Sequence, residues 1–283
     1  MFRSREREKE MKKLMMGVAL AVLAVGCSTD KMHEWMRADP APLTDFLPGK
    51  ERMVLRAATF PFHYTWMNTN AVLKADFKNV YIAPFDLSRL RKGKEYDQWK
   101  EKTMGKYDEL RDKVYNLDEA ITDLGDYGRK AFIQAFKERE KETKLKVVDN
   151  PSLPHTMILE IAITAFVPTR AEIEVVGEVG SLFCPIPGVG LVADYLAAGS
   201  IAVECRARDS VSKEVVAMLA DAEGEPSALL QFSKYTYTSA AKINLKRMAK
   251  ETVEACIVED ASELRRPFPL SFIALPWESS LND

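Results

Sequence analysis

The side chains in this sequence that could do chemistry are three histidines, four cysteines, one glycine-rich turn and one acidic–basic run. His33, His63 and His155 have no acidic or histidine neighbour at ligand spacing, and no G-x-S-x-G elbow or H-E-x-x-H helix occurs. They point to no catalytic residue, no metal site and no cofactor. Gly188-Val-Gly190-Leu-Val-Ala193 matches the G-x-G-x-x-A form of a dinucleotide fingerprint. That fingerprint needs a strand directly before it, and Pro185 and Pro187 are incompatible with a central strand. Glu204, Arg206 and Arg208 share one face of a strand. Acid–base chemistry there would need a partner in a pocket, whereas a solvated face of alternating charge needs nothing more, so the solvated face is the simpler reading. Cys184, Cys205 and Cys256 fit no metal-site spacing. An oxidising compartment would allow a Cys205–Cys256 bridge, and buried free thiols fit equally.

Cys27 is different, because its surroundings specify a reaction. The basic pair Lys12-Lys13 leads into an apolar run from Leu14 to Val25, which ends in small residues before the cysteine. This is the layout of a signal peptide, and the run is well short of the ~20 residues that span a bilayer. Arg3 to Glu10 mixes three acidic residues into what should be a basic start, which favours Met11 as the true first residue. The sequence LAVGC resembles the lipobox of bacterial lipoproteins. That resemblance implies a diacylglycerol on the Cys27 sulfur, cleavage after Gly26 and a further acyl chain on the new amino group. Several chains on one residue give stable anchoring, where a single one gives only reversible binding. Ser28 stands where retention in the inner membrane generally requires Asp, which implies the outer membrane, facing the periplasm.

Removing residues 1–26 takes away six of the 40 Lys+Arg and three of the 42 Asp+Glu, leaving 34 against 39 and a net charge of −5. That balance argues against nucleic acid as a partner. The chain divides into a signal peptide (1–26), a lipidated N-terminus and tether broken by Pro40, Pro42, Pro48 and Gly49 (27–52), one domain (53–259) and a proline-rich apolar tail (260–283).

Within the domain, Phe60, Phe62, Tyr64 and Trp66 alternate as an aromatic edge segment, and Asn79–Phe85 reads as the first core strand. Leu110, Val114, Leu117, Ile121 and Leu124 recur as one helical stripe, interrupted at Gly125 and Gly128, with a second helical piece from Ala131 to Phe136. Strands are expected at Lys144–Asp149 and Thr156–Val167, a hairpin at Ser200–Arg208 and Glu214–Ala222, and a helix at Ser239–Val258. The order predicts an α+β fold, a mixed or mainly antiparallel sheet with helices packed on one face.

The apolar connection Gly180–Gly199 is too long for an economical loop. It reads either as a short helix over Val189–Ala198 laid on the sheet, or as a projection whose Leu182, Phe183, Ile186 and Val189 contact a partner or the membrane.

The succession FPFHYTW, ADFKNVYIAPFD, GDYGRKAFIQAF, MILEIAITAFVPT and SIAVECRARDSVSKEVVAMLADAE resembles an uncharacterised family of bacterial lipoproteins, domain of unknown function thirty-three thirteen. The resemblance runs from about Leu43 to Cys256; the charged stretch Arg91–Leu124 and the tail after Glu259 depart from it. It implies fold and location, and no activity to carry onto these residues. More loosely, the layout is similar to small α/β domains such as those of the curli secretion lipoprotein and the Tol-system periplasmic protein, a likeness of fold alone. The expected function is that of a lipid-anchored, non-catalytic docking or accessory subunit, with the membrane as partner through Cys27 and a protein partner or self-association besides. The alternative is a small-ligand or glycan-processing envelope enzyme.

Overall fold

The computed structural model describes residues 37–90, 117–167, 200–224, 227–231, 238–258, 260, 263–266 and 270–274. Strands β1 (Val54–Leu55), β2 (Tyr64–Met67), β3 (Asn79–Ile82), β4 (Lys146–Val147), β5 (Thr156–Val167), β6 (Ser200–Asp209) and β7 (Val215–Gly224) form one sheet in the order β1-β2-β7-β6-β5-β3-β4. Pairing is antiparallel from β1 to β5 and parallel from β5 through β3 to β4. The chain is α+β with a mixed sheet. Helices α1 (Thr69–Ala75), α2 (Leu117–Glu138), α3 (Glu140–Thr143) and α4 (Ser239–Ile257) complete it, with a two-stranded parallel ribbon of β8 (Ser227–Gln231) and β9 (Leu270–Ala274).

The period-2 pattern of the long strands sorts their side chains. Leu159, Ile161 and Ile163 of β5 and Ile201, Val203 and Cys205 of β6 form one core with Ile121, Phe132 and Phe136 of α2 and Leu245, Met248 and Val253 of α4. Ile163 pairs with Val203 and Ala165 with Ala202, so Thr164 is left over as a bulge, and its hydroxyl donates to Ala202 O at 3.4 Å.

Three local expectations are corrected. Helix α2 runs unbroken through Gly125 and Gly128. A Cβ on Gly128 would stand 2.7 Å from Phe85 Cε1, so the missing side chain admits the Phe85 ring, which meets Phe132 edge-on with centroids 5.8 Å apart. That packing outweighs the ~1 kcal/mol that a mid-helix glycine costs.

The second correction is that residues 37–52 are no free tether. Phe46 and Leu47 are buried on Ala162, Met218 and Ala220, covering the sheet face opposite the helices. Small alanines on that face leave room for them. The same segment overturns the solvated reading of Glu204 and Arg206. Glu204 is buried and accepts from the Thr44 backbone N–H (2.6 Å) and hydroxyl, while Arg206 lies over the Phe46 ring and donates to Phe46 O at 2.6 Å. Arg208 and Arg206 both pair with Glu160.

Third, the C-terminal stretch is more than an appended tail. Leu264 and Arg266 are buried, and Arg266 N–H donates to Thr59 O at 2.8 Å.

Candidate functional site: a buried ionic cluster

Strand β7 ends in Leu-Ala-Asp-Ala-Glu-Gly. In register, Asp221 stands opposite Val203 and Glu223 opposite Ile201, so both carboxyls lie on the helix-facing side of the sheet. Acids placed there among apolar neighbours need partners. Arg37 Nη2 donates to Asp221 Oδ1 at 2.9 Å, and His63 Nδ1 lies 2.6 Å from the same oxygen. Arg247 of α4 and Arg266 of the C-terminal segment both pair with Glu223 Oε2. Glu251, one turn beyond Arg247 on α4, is buried with no hydrogen bond to either oxygen, and its Oε1 makes a long ion pair with Arg247 Nε at 3.9 Å. Four stretches of chain thus converge on the end of one strand.

Burial works to raise Asp221, but the His63 hydrogen bond and the Arg37 charge outweigh it and hold the carboxyl below its ordinary value. Glu223 goes the other way. Burial pushes it up to about 7 against the pull of Arg247, with the nearby Asp221 charge adding to the rise. Burial likewise pushes Glu251 up to about 8, again against Arg247.

The side chains of the cluster are engaged with one another and with the backbone. A His–Asp pair activates a nucleophile only if the second ring nitrogen is free to take its proton. Here His63 Nε2 faces Ala38 O at 2.9 Å, so both nitrogens are engaged by the protein itself. The cavity beside the pair, lined by Ala41, Leu43, His63, Thr164, Glu204 and Asp221 among others, measures ≈ 10 Å³. That is room for about one water, against the roughly 300–1,000 Å³ of a small-molecule site. What the cluster does hold is chain. Arg37 also donates to Ala57 O, Ala58 O and Pro61 O, which ties the N-terminal segment to the turn before β2.

The other residues singled out in the sequence fall elsewhere. His155 sits in an exposed loop at φ 55°, its Nδ1 3.2 Å from Ala75 O. Cys205 is a buried free thiol and Cys256 an exposed one. Gly26, Cys27, His33, Cys184, the Gly188–Ala193 turn and Leu182, Phe183, Ile186 and Val189 lie outside the described residues. Among the described residues, no three His, Cys, Asp or Glu side chains could hold a metal ion, and no helix is long and apolar enough to cross a membrane.

The profile of a family described as Protein of unknown function (DUF3313) matches residues 55–251. The chain belongs to that family. The match takes in the sheet from Leu55 onward and α4 as far as Glu251, and leaves Arg37 and Arg266 outside it. No curated protein matches the chain. Among solved structures it is similar to the PelC dodecamer of Paraburkholderia phytofirmans in two crystal forms. One has 8% identity and a TM-score of 0.31, the other 6% and 0.32, and each comparison covers 66% of this chain and 91% of that chain.

Proposed function

We propose that this member of the family is a lipid-anchored lipoprotein of the bacterial envelope, attached through Cys27 at the periplasmic face of the outer membrane, and that it acts as a non-catalytic docking or accessory subunit. The observation that carries this reading is the pinning of Arg37. Ten positions separate Cys27 from the side chain that Asp221 holds, and at ~3.3–3.6 Å per residue they reach at most about 35 Å. A short leash ending in a buried ion pair suits a domain presented at a fixed place near the lipid surface. It suits a diffusing enzyme poorly, and the engagement of both His63 nitrogens supports the same view. The partner is a protein of the envelope or a second copy of the chain. Crosslinking in intact cells, followed by purification in detergent, tests this. A discrete crosslinked species that survives detergent and depends on Cys27 is the expected result. A protein found only as an uncrosslinked monomer, wherever in the sequence the crosslinker is placed, would overturn it.

A further inference from the structure

Arg37 leaves the ionic cluster beside a part of the surface with an unusual composition. Residues 50–57 are exposed except for the half-buried Met53, and they set three cations, Lys50, Arg52 and Arg56, against one acid, Glu51, around the apolar run Met53-Val54-Leu55. Val54 is 53% and Leu55 58% exposed, and they form β1, the strand that ends this side of the sheet. The cations are held in place by the fold. Arg52 stacks over Trp66 at 4.1 Å, Arg56 donates to Thr65 Oγ1 at 2.6 Å, and Lys50 Nζ donates to Leu43 O at 3.0 Å. Charged side chains beside an edge strand also discourage edge-to-edge pairing.

The position of this edge narrows what it meets. The Arg37 guanidinium lies 3.2 Å from Ala57 O, two residues past Leu55, so the segment leading from Cys27 enters the domain at this corner. Apolar side chains among fixed cations suit the interface of an anionic bilayer, where the apolar groups enter the acyl boundary and the cations meet phosphate.

We propose that the Lys50–Arg56 edge is a docking surface for anionic phospholipid that sets the orientation of the domain on the membrane carrying its anchor. The proposal rests on the lipoprotein reading given above. The anchor supplies proximity, and the edge selects which side of the domain turns toward the lipid.

The test uses the mature, acylated protein purified in detergent and returned to vesicles of phosphatidylcholine, with or without phosphatidylglycerol, containing a brominated lipid that quenches tryptophan. Leu55→Trp reports on the edge. Val211→Trp, at an exposed turn at the far end of β7 from Asp221, is the control. The Leu55→Trp variant is expected to add quenching that the control does not, and to add more when phosphatidylglycerol is present. Lys50→Glu and Arg56→Glu, checked for unchanged melting, should each lower the docked-to-free ratio roughly fivefold or more. Retention on vesicles through a high-salt wash separates the two layers. Protein that washes off removes the anchor and the docking together. Protein that stays, with equal quenching at both positions or no response to phosphatidylglycerol, overturns the docking surface alone.

Discussion

Arg37 and Asp221 stand 184 residues apart in the chain and 2.9 Å apart in the fold, with both side chains almost fully buried. Breaking a buried pair by removing one partner is strongly destabilising, because the other charge is left uncompensated. Asp221→Ala is therefore expected to cost about 3–5 kcal/mol, read as a lowered urea midpoint. Asp221→Asn, which keeps the shape but loses the charge, should recover only part of it. A loss below about 1 kcal/mol for Asp221→Ala would mean that the pair does not hold the N-terminal segment.

The two glutamates give the fold an uncommon pH dependence. Glu223 and Glu251 are raised from an ordinary value of 4.5 to about 7 and about 8. Carboxyls raised on folding contribute stability that is complete below their ordinary value and lost as pH rises through the folded one. Stability is therefore expected to fall between about pH 5 and pH 9, by on the order of a few kcal/mol. Asp221, held below its ordinary 3.8, contributes the opposite slope, confined to acid. Glu251→Gln should flatten the slope on the alkaline side. Chemical denaturation at a series of pH values decides it, and stability that rises steadily from pH 5 to pH 9 would contradict the placement of these carboxyls.

Two glycines three residues apart on α2 should respond in opposite directions to the same change. Gly128→Ala brings a methyl to 2.7 Å from Phe85 Cε1 and is expected to destabilise by about 1–3 kcal/mol. Gly125→Ala meets the ends of Leu87 at 3.4 Å and Phe85 Cβ at 3.6 Å, and should be neutral or stabilising by up to about 1 kcal/mol. Thermal melting of the two variants checks the pair. Equal effects would show that Phe85 does not lie where Gly128 admits it.

What was legible in the sequence was whatever a local period encodes. The alternation in Thr156–Val167 and in the hairpin marks the apolar face that packs on α2 and α4, and the stripe through Leu245 and Met248 marks the helix face that meets it. What was not legible depended on partners far along the chain. Gly128 reads as an interruption until Phe85, on another element, is seen to fill the gap. Leu43, Phe46 and Leu47 have the spacing of an apolar patch, but the surrounding prolines have the composition of a tether. Asp221 and Glu223 carried a signal that could have been used, since acids at alternate positions on an otherwise apolar strand must either face solvent or find cations. The cations came from Arg37, Arg247 and Arg266, and no spacing rule links those to residue 221.

Everything proposed about place depends on the sulfur of Cys27. Wild type and Cys27→Ala should be expressed in cells fed a clickable fatty acid, and the purified chains compared for label and for length. Wild type is expected to be labelled and to begin at Cys27, and the variant to be unlabelled and to keep its signal peptide. Equal labelling of the two, or wild type that retains residues before Cys27, would contradict the lipoprotein reading and with it the short leash from membrane to Arg37.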